Sequence, residues 1–205
     1  EELRKLVLTG TYDAFGLLRK SYRNTVEISE FANDILRHGD FAVYPVEPII
    51  RHGAAVRVEK QPDATALLEE MVHTIRKWQQ DGYETIAVIC REEKEAAELA
   101  EQLKSYMEIV DCNPGTTEFG DGVMVLSVAY TKGLEFDAVL LYDPTQKKYP
   151  ADNGHVKLLY VAATRALHEL VVLYHGNLSR ILTDPVSKEK KQKVFAAETL
   201  TKAKE

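Results

Sequence analysis

The stretch VLSVAYTKGLEFDAVLLYD, Val125 to Asp143, places two apolar runs on either side of a short polar segment. Runs of this kind predict buried strands. We call the segment between them, Tyr130–Glu135, the polar connection. Lys132 offers a point charge to a phosphate, Gly133 permits a positive φ or a close backbone approach, and Glu135 offers a carboxylate to a sugar hydroxyl. A turn with solvated charges explains the same residues, so both interpretations stay open.

The rest of the chain predicts an α/β fold with a mostly parallel sheet. Strands are predicted at 85–90, 123–128, 138–141 and 169–174, and helices at 26–37, 64–80, 92–106 and 154–167. Because several strands are apolar throughout, we expect helices on both faces of the sheet. Loops beyond the carboxyl ends of the strands carry function in such folds, so we expect the polar connection there. One domain is predicted over residues 1–184, followed by a charged tail at 185–205.

Composition and charge restrict the classes of function. The chain of 205 residues has a net charge of −6, which argues against tight nucleic-acid binding by this chain alone. The tail is basic, with six Lys and three Glu. The sequence has no apolar run of about 18 residues, so no membrane span is predicted. Two cysteines in unrelated contexts indicate a cytoplasmic setting, and six histidines without ligand spacing predict no metal site.

A second group of polar residues is Tyr22-Arg23-Asn24-Thr25, at the predicted start of a helix. Helix N-termini favour anions, and either Asn24 or Thr25 could cap this one. Arg23 could bind a phosphate through two hydrogen bonds, and Tyr22 could stack on a base. The alternative is a helix cap beside a surface arginine.

A third group lies in LLYVAATRALHELVVLY, Leu158 to Tyr174, where an apolar helix face ends near Thr164-Arg165-Ala166. An arginine among small residues at such a place can be directed at a partner. Arg165 is therefore a candidate arginine finger, which stabilises charge on a transferring phosphoryl group. The alternative is a helix C-terminal arginine that the helix dipole favours.

The phosphate-binding loop of nucleotide-binding proteins is missing from the sequence. No G-x-x-x-x-G-K-[ST] occurs, and no Gly is followed by Lys. There is no G-x-G-x-x-G either. If the three groups contact a nucleotide, they contact it from the side opposite the missing loop.

The three groups, in this order, resemble the C-terminal motifs of superfamily 1 helicases of the UvrD/Rep type. SYRNTVEISEFAND resembles the fourth motif, VMVLSVAYTKGLEFDAVLL the fifth and KLLYVAATRALHELVV the sixth. Together with PVEPIIRHG at 45–53, the fourth motif is most similar to the HelD branch, bacterial proteins associated with RNA polymerase.

The resemblance implies a RecA-like fold, of the P-loop NTPase type but lacking the P-loop, as the second motor domain of an ATP-dependent DNA helicase. By this resemblance Tyr22 stacks on adenine, Arg23 and Arg165 contact the γ-phosphate as catalytic residues, and Glu135 contacts the ribose. Lys132 and Gly133 shape the loop between nucleotide and nucleic acid. The implied cofactor is ATP with Mg, held mainly by a first motor domain that this sequence does not contain. The implied partners are that domain, single-stranded DNA and RNA polymerase.

The fifth motif departs from the family at its nucleic-acid contacts. Ser127 and Ala129 stand where the family commonly has Thr and His before Lys-Gly. Ser127, Tyr130 and Thr131 are the residues we expect at nucleic acid, with Tyr130 stacking on a base. Two alternatives remain: a non-catalytic module that binds a protein partner, and an unrelated α/β enzyme that uses Lys132 and Glu135.

Overall fold

The computed structural model describes residues 20–21, 24–40, 47–48, 51–112 and 120–183. Predictions on Tyr22, Arg23 and the tail at 185–205 lie outside the described residues. The prediction of one domain over residues 1–184 is likewise only partly covered.

A parallel sheet of five strands forms the centre of the described structure, in the order β3-β7-β6-β4-β5. Its strands are β3 (Arg57–Gln61), β4 (Thr85–Cys90), β5 (Gly122–Ser127), β6 (Phe136–Tyr142) and β7 (Ala166–His175). Two short strands, β1 (Lys20–Ser21) and β2 (Glu47–Pro48), pair in parallel apart from this sheet. The predicted α/β class with a parallel sheet is confirmed.

Helices cover both faces of the sheet, as predicted. The helices are α1 (Val26–Leu36), α2 (Ala64–Gln80), α3 (Glu93–Leu103), α4 (Asn153–Ala163) and the short α5 (Arg180–Thr183). In β4, Ala87 and Ile89 pack with α1 and α4, while Ile86 and Val88 pack with α2 and α3. Because successive strand residues point to opposite faces, a strand buried on both faces is apolar throughout.

Helix α2 shows how local sequence sets an element's bounds. The Asp63 carboxylate accepts a hydrogen bond from the Ala66 N–H at 2.9 Å and so caps the first turn. Leu67, Met71 and Trp78 form the buried stripe. After the helix, Gly82 adopts φ +88°, a conformation that glycine adopts without steric cost.

The connection from β5 to β6 corrects one expectation. Ser127, the last residue of β5, pairs with Cys90 at the carboxyl end of β4. Ala138, near the start of β6, pairs with Ile86 near the amino end of β4. Residues 128–135 therefore return the chain from the carboxyl edge of the sheet to its amino edge. This is shorter than the crossover of about a dozen residues usual between parallel strands, and it holds only the 3₁₀ helix Val128–Thr131 and a turn. The polar connection begins beyond the carboxyl end of β5, but it finishes at the opposite edge.

A second difference concerns the approach to β7. Helix α4 ends at Ala163 instead of residue 167, and β7 begins at Ala166 instead of residue 169. Arg165 therefore lies in the tight link between helix and strand. Among the described residues, no helix is both long and apolar enough to cross a bilayer.

Candidate functional site at the amino edge of the sheet

The polar connection contains a type II β-turn formed by Thr131-Lys132-Gly133-Leu134. The Leu134 N–H donates to the Thr131 carbonyl at 3.1 Å, Lys132 has φ −63° and ψ 120°, and Gly133 has φ +83°. These angles are those of the type II turn, whose third position requires a positive φ. A Cβ on Gly133 would meet no atom within 4 Å. Of the two predicted reasons for a glycine here, the structure therefore shows the positive φ.

The guanidinium group of Arg165 binds this turn. One terminal nitrogen donates to the Leu134 carbonyl at 3.0 Å and lies 3.5 Å from the Thr131 carbonyl. Its Nε donates to the Val161 carbonyl at 3.0 Å, which caps the end of α4. The Arg165 carbonyl accepts from the Phe136 N–H at 2.9 Å. The Nε bond is the helix C-terminal interaction that was the alternative to an arginine finger, and the other bonds fix this arginine to the polar connection.

The start of α1 lies against the same place. The Asn24 side chain is 6% exposed, and its Nδ2 donates to the carbonyls of Thr164 at 3.2 Å and Ala166 at 2.5 Å. Thr25 is the residue that caps α1, because its hydroxyl accepts from the Ile28 N–H at 3.4 Å. Asn24 thus contacts the two residues that flank Arg165. Whether Arg23, outside the described residues, faces the same cleft stays a prediction.

Residues 51–53 also contact the start of α1 and the start of β7. No role at the site was expected for them from the sequence. Glu27 accepts hydrogen bonds from the Gly53 N–H and the His52 ring, both at 2.9 Å. The His52 hydrogen bond and then the Gly53 N–H lower the pKa of Glu27 to about 2. Arg51 donates to the Leu167 carbonyl at 2.6 Å. The only signal in the sequence was the run PVEPIIRHG, which indicated a family resemblance but did not indicate that these residues contact α1 or β7.

The remaining residues expected at ATP lie on the same connection. Lys132 is exposed on the turn, and Glu135 is half-buried immediately before β6. Glu135 therefore lies at the amino edge of the sheet, and Lys132 lies within the turn that Arg165 binds. Their contact with ATP, like that of Tyr22 and Arg23, stays a prediction.

The residues expected at nucleic acid differ in exposure. Ser127 is 3% and Thr131 0% exposed, and the Thr131 hydroxyl donates to the Val128 carbonyl at 2.8 Å. Direct contact by these two side chains is therefore a prediction that the structure does not favour. Tyr130 is 42% exposed, and its hydroxyl donates to a Glu93 carboxylate oxygen at 3.3 Å.

A groove of about 250 Å³ adjoins Tyr130, between α3 and β5. Carboxylates of Glu93, Glu101 and Asp111 lie along it. The charge of Glu93 raises the pKa of Tyr130. Lys104, also on the groove, forms ion pairs with Glu101 at 2.7 Å and Asp111 at 3.5 Å. An acidic surface of this kind repels a phosphate backbone.

The carboxyl edge of the sheet, where ligands bind in many open α/β folds, is occupied by internal contacts between polar and charged side chains. Lys148 contacts Glu95 at 2.5 Å and Asp143 at 2.6 Å, and His175 lies 3.1 Å from Asp143. These pairs lie beside the carboxyl ends of β4 and β6. Within the described part of the chain, no three His, Cys, Asp or Glu side chains form a metal site.

One protein-family model matches part of this chain. Residues 122–173, which contain β5, the polar connection, Arg165 and most of β7, match the family model of the UvrD-like helicase C-terminal domain. This part of the chain resembles a helicase motor domain. No curated protein matches the sequence.

A solved structure of a similar protein has the same fold. The C-terminal domain of a possible DNA helicase from Lactobacillus plantarum WCFS1 is 27% identical, with a TM-score of 0.66, over 83% of this chain and 96% of that one. The predicted RecA-like fold is therefore confirmed. The PRRSV helicase is 15% identical with a TM-score of 0.38, over 77% of this chain and 23% of that one. None of these matches concerns the HelD branch, which stays a prediction.

Proposed function

We propose that this chain is the C-terminal motor domain of an ATP-dependent DNA helicase or translocase, which forms an ATP cleft with a first RecA-like motor domain. The observation that supports this best is the attachment of Arg165 to the type II turn at 131–134. Both lie inside the stretch that matches the UvrD-like helicase family. The companion domain would hold most of the ATP and its Mg.

The donor set at the amino edge fits a polyphosphate. Lys132 lies within the type II turn. The Thr131 and Leu134 carbonyls of the same turn accept hydrogen bonds from Arg165. Bound ATP would supply the phosphoryl group, and Arg165 would supply positive charge as negative charge develops on that group. Because carbonyls already hold the guanidinium, little reorganisation is needed during the reaction. Arg23 would add a second positive charge, Glu135 would hold the ribose, and Tyr22 would stack on adenine.

The surface beside Tyr130 bears on the substrate that the motor remodels. Tyr130 is the exposed member of the three residues expected at DNA, and it lies on the acidic groove. That groove favours a protein complex, such as an RNA polymerase complex, as the remodelled substrate. In that case ATP hydrolysis in the full-length protein would not require DNA.

The deciding experiment is steady-state ATP hydrolysis by the full-length protein with Arg165→Ala and Arg165→Lys. If Arg165 is the finger, Arg165→Ala lowers kcat by about a thousandfold or more. Arg165→Lys retains little activity, because a point charge does not reproduce the planar fork. The matched control is Arg76→Ala on α2, where the guanidinium donates to the Tyr106 carbonyl at 3.2 Å. Thermal unfolding verifies that each variant is folded.

Each outcome selects one function. Undiminished turnover in Arg165→Ala would remove this arginine from the mechanism and favour the non-catalytic interaction module. Turnover that depends on single-stranded DNA and is lost in the variant supports a DNA translocase. A DNA-independent rate lost in the same variant keeps the motor and favours a protein substrate. Activity of this isolated chain would favour the unrelated α/β enzyme.

A further inference from the structure

The Asn24 side chain clamps the backbone on both sides of Arg165. Its amide nitrogen carries two N–H donors, and these reach the carbonyls of Thr164 and Ala166, the residues that flank Arg165. The side chain is buried, so water does not compete for these bonds. The peptide group that precedes the Arg165 Cα and the one that follows the Ala166 Cα are therefore tied to the start of α1.

The clamp complements the bonds that Arg165 makes itself. The Arg165 N–H donates to the Ala162 carbonyl at 3.2 Å, and its carbonyl accepts from Phe136. Those bonds lie between α4, the polar connection and β7. Asn24 adds a connection from α1, and it directly follows Arg23 in the chain.

We propose that Asn24 is a positioning residue for Arg165, which sets the direction of the Arg165 side chain. The inference rests on the proposed function, because it gives Asn24 a role in the ATP cleft. Asn24 acts through the Arg165 backbone and touches no substrate. It is a different role from the helix cap expected from sequence, which Thr25 fills.

The chemistry of the clamp requires a neutral side chain with two donors. In Asn24→Asp, carboxylate oxygens would face two carbonyl oxygens, and both hydrogen bonds would be replaced by repulsion. Asn24→Ser keeps one shorter donor and removes the second. The expected order of turnover is therefore wild type, then Asn24→Ser, then Asn24→Ala, with Asn24→Asp lowest.

The test is a double-mutant cycle in the full-length protein, with kcat and KM for ATP measured for Asn24→Ala, Arg165→Ala and the double variant. Asn24→Ala is expected to lower kcat by about 10- to 100-fold and to change KM less, since small misplacements of a catalytic group have effects of this size. In the Arg165→Ala background the same substitution is expected to lower kcat no further. Asn177→Ala, at an exposed position after β7 and outside the three motifs, is the control and leaves kcat unchanged.

Hydrogen exchange in the free protein gives a readout besides activity. Peptides that contain residues 164–168 should exchange faster in Asn24→Ala than in wild type or Asn177→Ala. If Asn24→Ala does not fold, Asn24→Ser replaces it in the cycle and in the exchange measurement.

The outcomes separate this inference from the proposed function. Equal losses of kcat from Asn24→Ala in both backgrounds would show a general structural role and overturn the positioning role. So would a large effect of Arg165→Ala together with no effect of Asn24→Ala. No effect of Arg165→Ala would overturn the proposed function, and the role of Asn24 would fall with it.

Discussion

Gly133→Ala tests the type II turn that holds Arg165. Gly133 has φ +83°, and Gly82 at the end of α2 has φ +88°. A Cβ at either position would meet nothing within 4 Å. The same substitution at Gly82 therefore introduces the same backbone strain without a steric clash, and it does so away from the turn.

The expected loss of stability follows from backbone conformation alone. A residue with a Cβ in the left-handed region costs about 1–2 kcal/mol relative to glycine. The smaller conformational freedom of alanine in the unfolded chain offsets about 0.4–1 kcal/mol of this. The net loss is roughly 1 kcal/mol for each variant, or about 2–4 °C in Tm for a chain of this length.

Only Gly133→Ala is expected to affect ATP turnover. The turn supplies the Leu134 and Thr131 carbonyls to the Arg165 guanidinium, so strain at Gly133 displaces the group that they hold. We expect kcat of the full-length protein to fall about tenfold or more. The assay combines thermal unfolding with steady-state hydrolysis for both variants.

Two results would refute this reasoning. If Gly133→Ala leaves Tm unchanged while Gly82→Ala lowers it, the turn at 131–134 is not of type II. If both variants lose the same stability and the same turnover, the effect is one of global stability and the turn has no special relation to Arg165.

Two other side chains give independent predictions. Trp78→Phe should lower the free energy of unfolding by about 1–3 kcal/mol, because it removes the 2.6 Å hydrogen bond from Trp78 to the Glu169 carboxylate; an unchanged urea midpoint would contradict this. Glu27→Gln should reduce the dependence of the free energy of unfolding on pH in acid. The Glu27 pKa falls from 4.5 to about 2 on folding, so its contribution to stability is complete above pH 4.5 and disappears as the pH falls toward 2. Denaturant midpoints measured across that pH window check the second prediction, and parallel pH curves for wild type and variant would contradict it.

Periodicity in the sequence predicted most of the sheet. Runs such as Ile86–Cys90 are apolar throughout because both faces of each central strand are buried, and that pattern distinguishes them from half-exposed strands. Helix α2 was predicted to its observed bounds, and the residues that set those bounds in the structure, Asp63 and Gly82, act locally. Features that depend on neighbours in sequence were therefore predictable.

Strand register and side-chain direction were not predictable in the same way. Which edge of the sheet Glu135 reaches depends on the register of β6 against β4, which no local pattern encodes. The burial of Thr131 and the bonds of Asn24 depend on elements distant in sequence. An asparagine before a helix predicts a cap, and only the packing of β7 beside α1 gives it another role.

The pairing of β3 with β7 has a consequence for synthesis of the chain. Arg57 is level with Val171, so β3 leaves the ribosome long before its partner strand exists. Until then β3 presents Arg57, Glu59 and Lys60, charges that discourage pairing with another nascent chain. A polypeptide interrupted before β7 would lack the strand that lies between β3 and β6. Vectorial folding of this sheet thus ends only when nearly all of the described chain has been translated.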